Sequence, residues 1–147
     1  MRLVIQRSKE ASVTVSNKVV GQINEGLVIL VGFTDGDNEK IIDKMISKVI
    51  NLRIFDDENG IMNRSLLDVG ASILSVSQFT LYADTRKGRR PSYIKALRGE
   101  EAIILYDKWN ENLRKTGINI ESGIFGADMK VALINDGPIT IFMDSEE

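Results

Sequence analysis

A chain of 147 residues, 43% apolar and 27% charged, is long enough for one folded core and needs no staple to hold it together. It contains neither histidine nor cysteine, which excludes a Ser-His-Asp or Cys-His nucleophile, a histidine general base and the usual zinc sites. A net charge of −2 argues against a general nucleic-acid coat and leaves room only for a local basic patch.

The opening Arg2-Leu3-Val4-Ile5-Gln6-Arg7 has charge inside a strand-like run, so no signal peptide is expected. No apolar run reaches the length of a membrane span, and the absence of cysteine fits a reducing compartment, so the expected address is the cytoplasm. Leu3 to Arg7 and Ser12 to Val15 alternate apolar and polar residues, and Ser16-Asn17-Lys18 turns the chain into Val19 to Ile23, which predicts a strand followed by a hairpin. Leu27 to Phe33 is a continuous apolar run of strand length, predicting a central strand buried on both faces. Thr34-Asp35-Gly36-Asp37 supplies helix-capping chemistry, and Ile41, Ile42, Met45, Ile46, Val49 and Ile50 recur at helical spacing over about 38 to 51.

Asp56-Asp57-Glu58-Asn59-Gly60 lacks the ligand spacing and closing glutamate of a calcium loop and reads as a solvated turn. Residues 72 to 83 read as one long strand or a strand with a break, with a polar insert at Ser77, Gln78 and Thr80 that predicts a bulge. Thr85 to Pro91 is the one basic cluster, with Arg86, Lys87, Arg89 and Arg90; it is either a solvated loop or a phosphate contact. A second helix is expected over about 99 to 116, where Ala102, Leu105, Tyr106, Trp109 and Leu113 form the stripe and Trp109 reads as core. A short strand at Ile118 to Glu121 and a glycine-bounded loop, Gly123 to Asp128, precede a closing hairpin. Its two apolar runs, Met129 to Ile134 and Ile139 to Met143, flank Asn135-Asp136-Gly137-Pro138, where Asp-Gly signals a tight turn and the proline permits a cis bond. The elements add up to one α/β domain over residues 1–147, a mixed and largely antiparallel, barrel-like sheet with two long helices packed on one face.

Four ordered segments carry a resemblance across the whole chain. Ser77-Gln78-Phe79-Thr80, the Thr85 to Pro91 loop, Gly123-Ile124-Phe125-Gly126-Ala127-Asp128-Met129 and Asn135-Asp136-Gly137-Pro138-Ile139-Thr140 resemble the signature segments of the D-aminoacyl-tRNA deacylases, and the opening through Val15 resembles that family's start. The resemblance implies a homodimeric proofreading enzyme that hydrolyses the ester between a D-amino acid, or mischarged glycine, and tRNA. It implies no metal and no organic cofactor, and neither a membrane nor DNA as partner. It implies that Gly137-Pro138, as a Gly-cisPro pair, enters the partner subunit's pocket and excludes L side chains, with Met129 beside it. The ribose 2′-hydroxyl of the tRNA would assist the reaction.

An aminoacyl ester is already activated, so the protein has to position it and stabilise a tetrahedral oxyanion, for which one good donor is worth about 2.7 to 4 kcal/mol. A polar break at Ser77 to Thr80 would free backbone N–H groups, that of Phe79 foremost. Thr80 has no histidine to take its proton and no lysine or carboxylate adjacent in sequence, so an orienting role is expected for it rather than a nucleophilic one. Arg86, Lys87, Arg89 and Arg90 are the expected tRNA contacts. Two alternatives are a non-catalytic RNA-binding homodimer, which leaves the polar insert unexplained, and a structural or regulatory dimer, which treats both motifs as packing.

Overall fold

The computed structural model describes residues 1–147. Its organising strand is β1, Arg2–Val15, which pairs antiparallel along both edges. One edge takes β3, Gly26–Gly32, against Arg2 to Ser8, and then β2, Lys18–Ile23, against Ala11 to Val15. The β1–β2 connection is the tight turn expected: Ser16 and Asn17 both have positive φ, 49° and 64°, the geometry whose twist matches a two-residue hairpin. Beyond β3 the sheet turns parallel, through β6, Ser72–Ser77, to β7, Ile120–Ser122. β2 folds back over β6 and β7 and nearly closes a barrel, and Gly21 permits it, because a Cβ there would stand 2.9 Å from the carbonyl oxygen of Ser122.

Two apolar layers follow from this curvature. Inside the barrel are Ala11, Val13, Ile23, Val28, Leu74 and Val76. Outside it, α1, Glu39–Asn51, and α3, Gly99–Arg114, lay Ile42, Met45, Ile46, Val49, Tyr106, Trp109 and Leu113 on Leu3, Ile5, Leu27, Ile29 and Ile73. The uninterrupted apolar run of β3 is thereby explained, since its alternate residues serve different layers. Ser75, fully buried in β6, takes a hydrogen bond from Trp109 Nε1 on its hydroxyl (3.1 Å) and one from the Tyr106 hydroxyl on its carbonyl (2.8 Å), which fixes α3 over β6.

One local expectation shifts, one holds, and one element is new. The cap of α1 is Asn38, whose Oδ1 accepts from Ile41 N, while Asp37 bonds the amide of Thr34. The acidic turn lies between two short strands, β4, Phe55–Asp56, and β5, Met62–Arg64, where Asp57 Oδ1 takes the amides of Asn59 and Ile61. A short helix, α2, Leu66–Val69, follows with a reciprocal Ser65–Asp68 capping box that sequence periodicity did not reveal. The largest difference is in the closing segment.

Met129 to Ile134 and Ile139 to Met143 do not form a hairpin. From Lys130 onward they belong to one strand, β8, Lys130–Asp144, paired with β1 from Thr14↔Lys130 to Arg2↔Asp144 with two breaks in register. Between the pairs Ser8↔Asn135 and Gln6↔Thr140 a single β1 residue, Arg7, faces Asp136 to Ile139, so these four residues leave the ladder as a projecting loop. β1 is long enough to template both arms, and that pairing prevails over the local turn signal. The Gly137–Pro138 bond inside the loop is cis.

Candidate active site

β3 and β6 run parallel and end side by side, and the chain leaving β6 shapes the site. Of the two readings of residues 72 to 83, the strand with a break holds: β6 stops at Ser77, and in place of a bulge Phe79–Tyr82 winds into a 3₁₀ turn. Gln78 is held to β3 by its amide bonding Val31 O at 2.7 Å, and Gly32 lets the turn close in, because a Cβ there would meet Gln78 O at 2.9 Å and Leu81 Cβ at 3.1 Å. Arg2 secures the far end: its Nη1 donates to Leu81 O at 2.9 Å while its guanidinium lies 4.5 Å from the centre of the Tyr82 ring. Burial pushes the Tyr82 hydroxyl pKa well up, so it stays neutral across the physiological range.

The first amides of any helical turn have no acceptor within it, and Gln78 supplies no side-chain cap here. Phe79 N–H is the leading amide of this turn. The Gln78 side chain is turned instead to the Thr80 hydroxyl, Nε2 to Oγ1 at 2.5 Å, which leaves Thr80 as an acceptor with its own proton free. No carboxylate, lysine or arginine hydrogen-bonds Thr80, so nothing there activates it as a nucleophile.

Next to the turn opens a cleft of about 570 Å³. Its floor and walls come from the ends of β3 and β6, the segment around Tyr93 to Leu97, the start of α3, and the Phe125–Met129 loop. Of the residues singled out in the sequence, Ser77, Gln78, Phe79 and Met129 line this cleft; Thr80 lies behind them in the turn. Gly137 and Pro138 do not line it. They project from β8, and the loop that carries them is rigidly held. Asn135 Oδ1 accepts from Ile139 N at 3.1 Å, and Arg7 donates from Nε to Asp136 O at 3.0 Å and from Nη1 to Ile54 O at 2.8 Å.

Arg7 was not singled out from the sequence as a functional residue, although a signal existed: it occupies the inward register after Leu3 and Ile5, where an apolar residue is expected, and is only 7% exposed. Arg7→Met should keep the stem packed but leave the carbonyls of Ile54 and Asp136 without donors. A stability loss of about 1–3 kcal/mol is expected by urea denaturation, and an unchanged midpoint would show that the loop needs no such anchor.

The basic loop stands outside the cleft. Its neck is closed by paired backbone bonds between Asp84 and Ser92, 2.8 and 2.9 Å, and residues 85–91 are exposed. Arg86 folds back onto Asp84 with a two-pronged contact, 2.9 and 2.6 Å, and this hydrogen bonding holds the Asp84 carboxyl well below the usual carboxylate range. Lys87, Arg89 and Arg90 have no ion-pair partner and form the free cationic tip.

The D-Tyr-tRNA(Tyr) deacylase family model matches residues 4–144. This chain belongs to that family. A D-aminoacyl-tRNA deacylase of Bacillus velezensis is 56% identical over the full length of both chains, and one of Thermus aquaticus is 54% identical over all of this chain and 97% of its own. A solved c-Myc DNA unwinding element binding protein shares 40% identity and superposes with a TM-score of 0.92 over 98% of each chain. A probable eukaryotic D-amino acid tRNA deacylase shares the fold at 19% identity, with a TM-score of 0.84 over 97% of each. The deacylase is a hydrolase, and its substrate class is D-aminoacyl-tRNA.

Proposed function

We propose that this deacylase cleaves the aminoacyl ester by positioning and oxyanion stabilisation alone, with Phe79 N–H as principal donor and the terminal ribose 2′-hydroxyl of the substrate assisting. The observation that carries this reading is the 3₁₀ turn after β6, whose leading, uncapped amide belongs to a cleft-lining residue. Ser77 and Gln78 shape the approach to that amide, and Thr80, tied to Gln78, orients it. The tetrahedral intermediate collapses with the 3′-oxygen of the ribose as leaving group, which gives free amino acid and tRNA. Water supplies the nucleophile, and the substrate's own hydroxyl relays the proton in a site with no histidine.

The chiral filter and the dimer belong together in this proposal. β8 pairs only with β1, and its free edge carries exposed Val131, Ile134 and Phe142, a long apolar edge of the kind that isolated proteins avoid. A second copy docked there by two-fold symmetry would bring its Asp136–Ile139 loop to the cleft whose wall includes Met129 and Val131. The rigid Gly137-Pro138 pair then occupies the space an L side chain requires, while hydrogen in that position fits, so glycine is accepted and correctly charged L-aminoacyl-tRNA is spared. Sedimentation analysis tests the assembly: a dimer is expected, and a monomer active on D-Tyr-tRNA would remove the filter from its proposed place.

The tRNA acceptor stem is held by Lys87, Arg89 and Arg90, with Arg86 as the strut of the loop rather than its foremost phosphate contact. Lys87→Ala/Arg89→Ala should weaken tRNA binding and reduce the slope of log K against log salt by about 0.7–0.9 for each phosphate no longer neutralised; an unchanged slope returns the loop to solvent. A DNA-binding reading has less support, because the one dense cluster of cations is a single short loop on a chain of net charge −2. No helix is long and apolar enough to cross a membrane, and the proposed place of action is the cytoplasm, where tRNA is charged.

A further inference from the structure

A second pocket, of about 350 Å³, lies between α3 and the chain leaving β7 at residues 122–125. The 3₁₀ turn does not border it, and the deacylation chemistry gives it no task. Its polar groups come from one face of α3, because Asp107, Asn110 and Arg114 recur at intervals of three and four residues. Asn110 is the unusual one. It is 4% exposed and its Oδ1 has no hydrogen-bond partner in the protein, whereas nearly all buried side-chain oxygens have one. Burial raises the pKa of the neighbouring Tyr106 hydroxyl and hydrogen bonding from Asn110 opposes the rise, so the Nδ2 end of the amide serves Tyr106 and the Oδ1 end is left for a donor from outside the chain. Asp107 and Arg114 flank Asn110, about one turn to either side. Lys108, Glu111 and Lys115, the other charges of this stretch, pair with one another and leave Asp107 and Arg114 exposed and without an ion pair. The remaining wall is apolar: Ile103 and Ile124 at the rim, and Phe125, whose ring centre is 5.8 Å from that of Tyr106.

We infer that this pocket binds a free α-amino acid with an apolar or aromatic side chain. Asp107 and the orphaned Oδ1 of Asn110 meet its ammonium group, Arg114 meets its carboxylate, and Ile103, Ile124 and Phe125 cover its side chain. The two charged seats are about one helical turn, roughly 5.4 Å, apart along α3, which suits a molecule that carries both charges on either side of a single carbon. A simple anion would be repelled by Asp107 and a metal ion by Arg114, so a zwitterion is the ligand that uses both. The pocket is not isolated from the substrate cleft. Phe125 lines both, and Gly123 lies so close to Met129 that a Cβ there would meet its Sδ at 2.5 Å. A bound amino acid therefore rests against the segment that walls the cleft.

The test titrates D- and L-phenylalanine, phenylalaninamide and N-acetylphenylalanine into the protein, followed by calorimetry and backbone amide NMR. Phenylalanine should bind at one site per chain and shift amides within residues 103–114 and 122–124. Preference for the D form identifies the ligand as the product of deacylation, and preference for the L form as the cellular amino-acid pool. The amide, which lacks the carboxylate, and the N-acetyl derivative, which lacks the ammonium, should bind about 10- to 150-fold more weakly, the range for losing one charged hydrogen bond. Arg114→Gln and Asp107→Asn should weaken phenylalanine binding by the same range. Both positions are exposed, and both variants should cleave D-Tyr-tRNA at the wild-type rate when no free amino acid is present. No binding at millimolar concentration overturns the inference, as do derivatives that bind as tightly as phenylalanine. Shifts confined to residues 77–79 and insensitive to both variants would place the amino acid in the substrate cleft and overturn it too. Loss of deacylation by either variant in the absence of free amino acid would assign the charges to the substrate instead.

Discussion

Phe79→Pro is expected to lower kcat on D-Tyr-tRNA by about 10²–10³-fold, the loss that follows removal of one oxyanion donor. The substitution deletes the amide hydrogen and little else of the backbone. Phe79 opens the 3₁₀ turn, the place where a helical segment tolerates proline, and Gln78, at φ −148° and ψ 85°, is outside the helical region that a following proline disfavours. The aromatic ring is removed too, so Phe79→Leu is the control: it keeps the amide and should retain most of kcat. Thr80→Ala should fall between them, because it removes only the hydroxyl that Gln78 grips. A covalent acyl-Thr80 species detected by mass spectrometry, with Thr80→Ala inactive and Phe79→Pro active, would replace oxyanion stabilisation by nucleophilic catalysis.

The second large effect is expected in selectivity rather than rate. Cutting back the projection by changing Pro138 to Ala should let L-Tyr-tRNA into the site and reduce the preference for the D-ester by about 10–200-fold, the range that steric fit of one small group controls. Pro138 is exposed and outside the β1–β8 ladder, and Gly137, where a Cβ would stand 2.7 Å from the Ile139 side chain, is kept, so the fold has little reason to change. Parallel thermal denaturation and sedimentation establish that the variant is folded and assembled as wild type. A folded, dimeric variant that still spares L-Tyr-tRNA would place chiral rejection elsewhere in the cleft.

The sequence was most informative where one physical pattern dominated. The stripe at Ile42, Met45, Ile46 and Val49 and the apolar run at Leu27 to Val31 had no competing signal, and both gave the elements found. It misled where a local signal opposed a distant one. Asp136-Gly137-Pro138 carries strong turn chemistry, but β1 pairs with β8 on both sides of it, and no local window contains that information. The polar insert at 77 to 80 marked the right place with the wrong geometry, since a bulge and a strand end both break alternation. Met129 lies far along the chain from Ser77 to Phe79, and in the sequence only family resemblance links them; the fold brings them into one cleft. Arg86 differs from the other three cations of its loop only through its contact with Asp84.

Time courses of D-Tyr-tRNA and L-Tyr-tRNA incubated separately with the wild-type protein test the central claim most directly. The account predicts release of free D-tyrosine with intact tRNA, at a rate unaffected by chelators, while L-Tyr-tRNA decays no faster than in buffer. Tight binding of D-Tyr-tRNA with no release of tyrosine, or equal hydrolysis of the two esters, would contradict it.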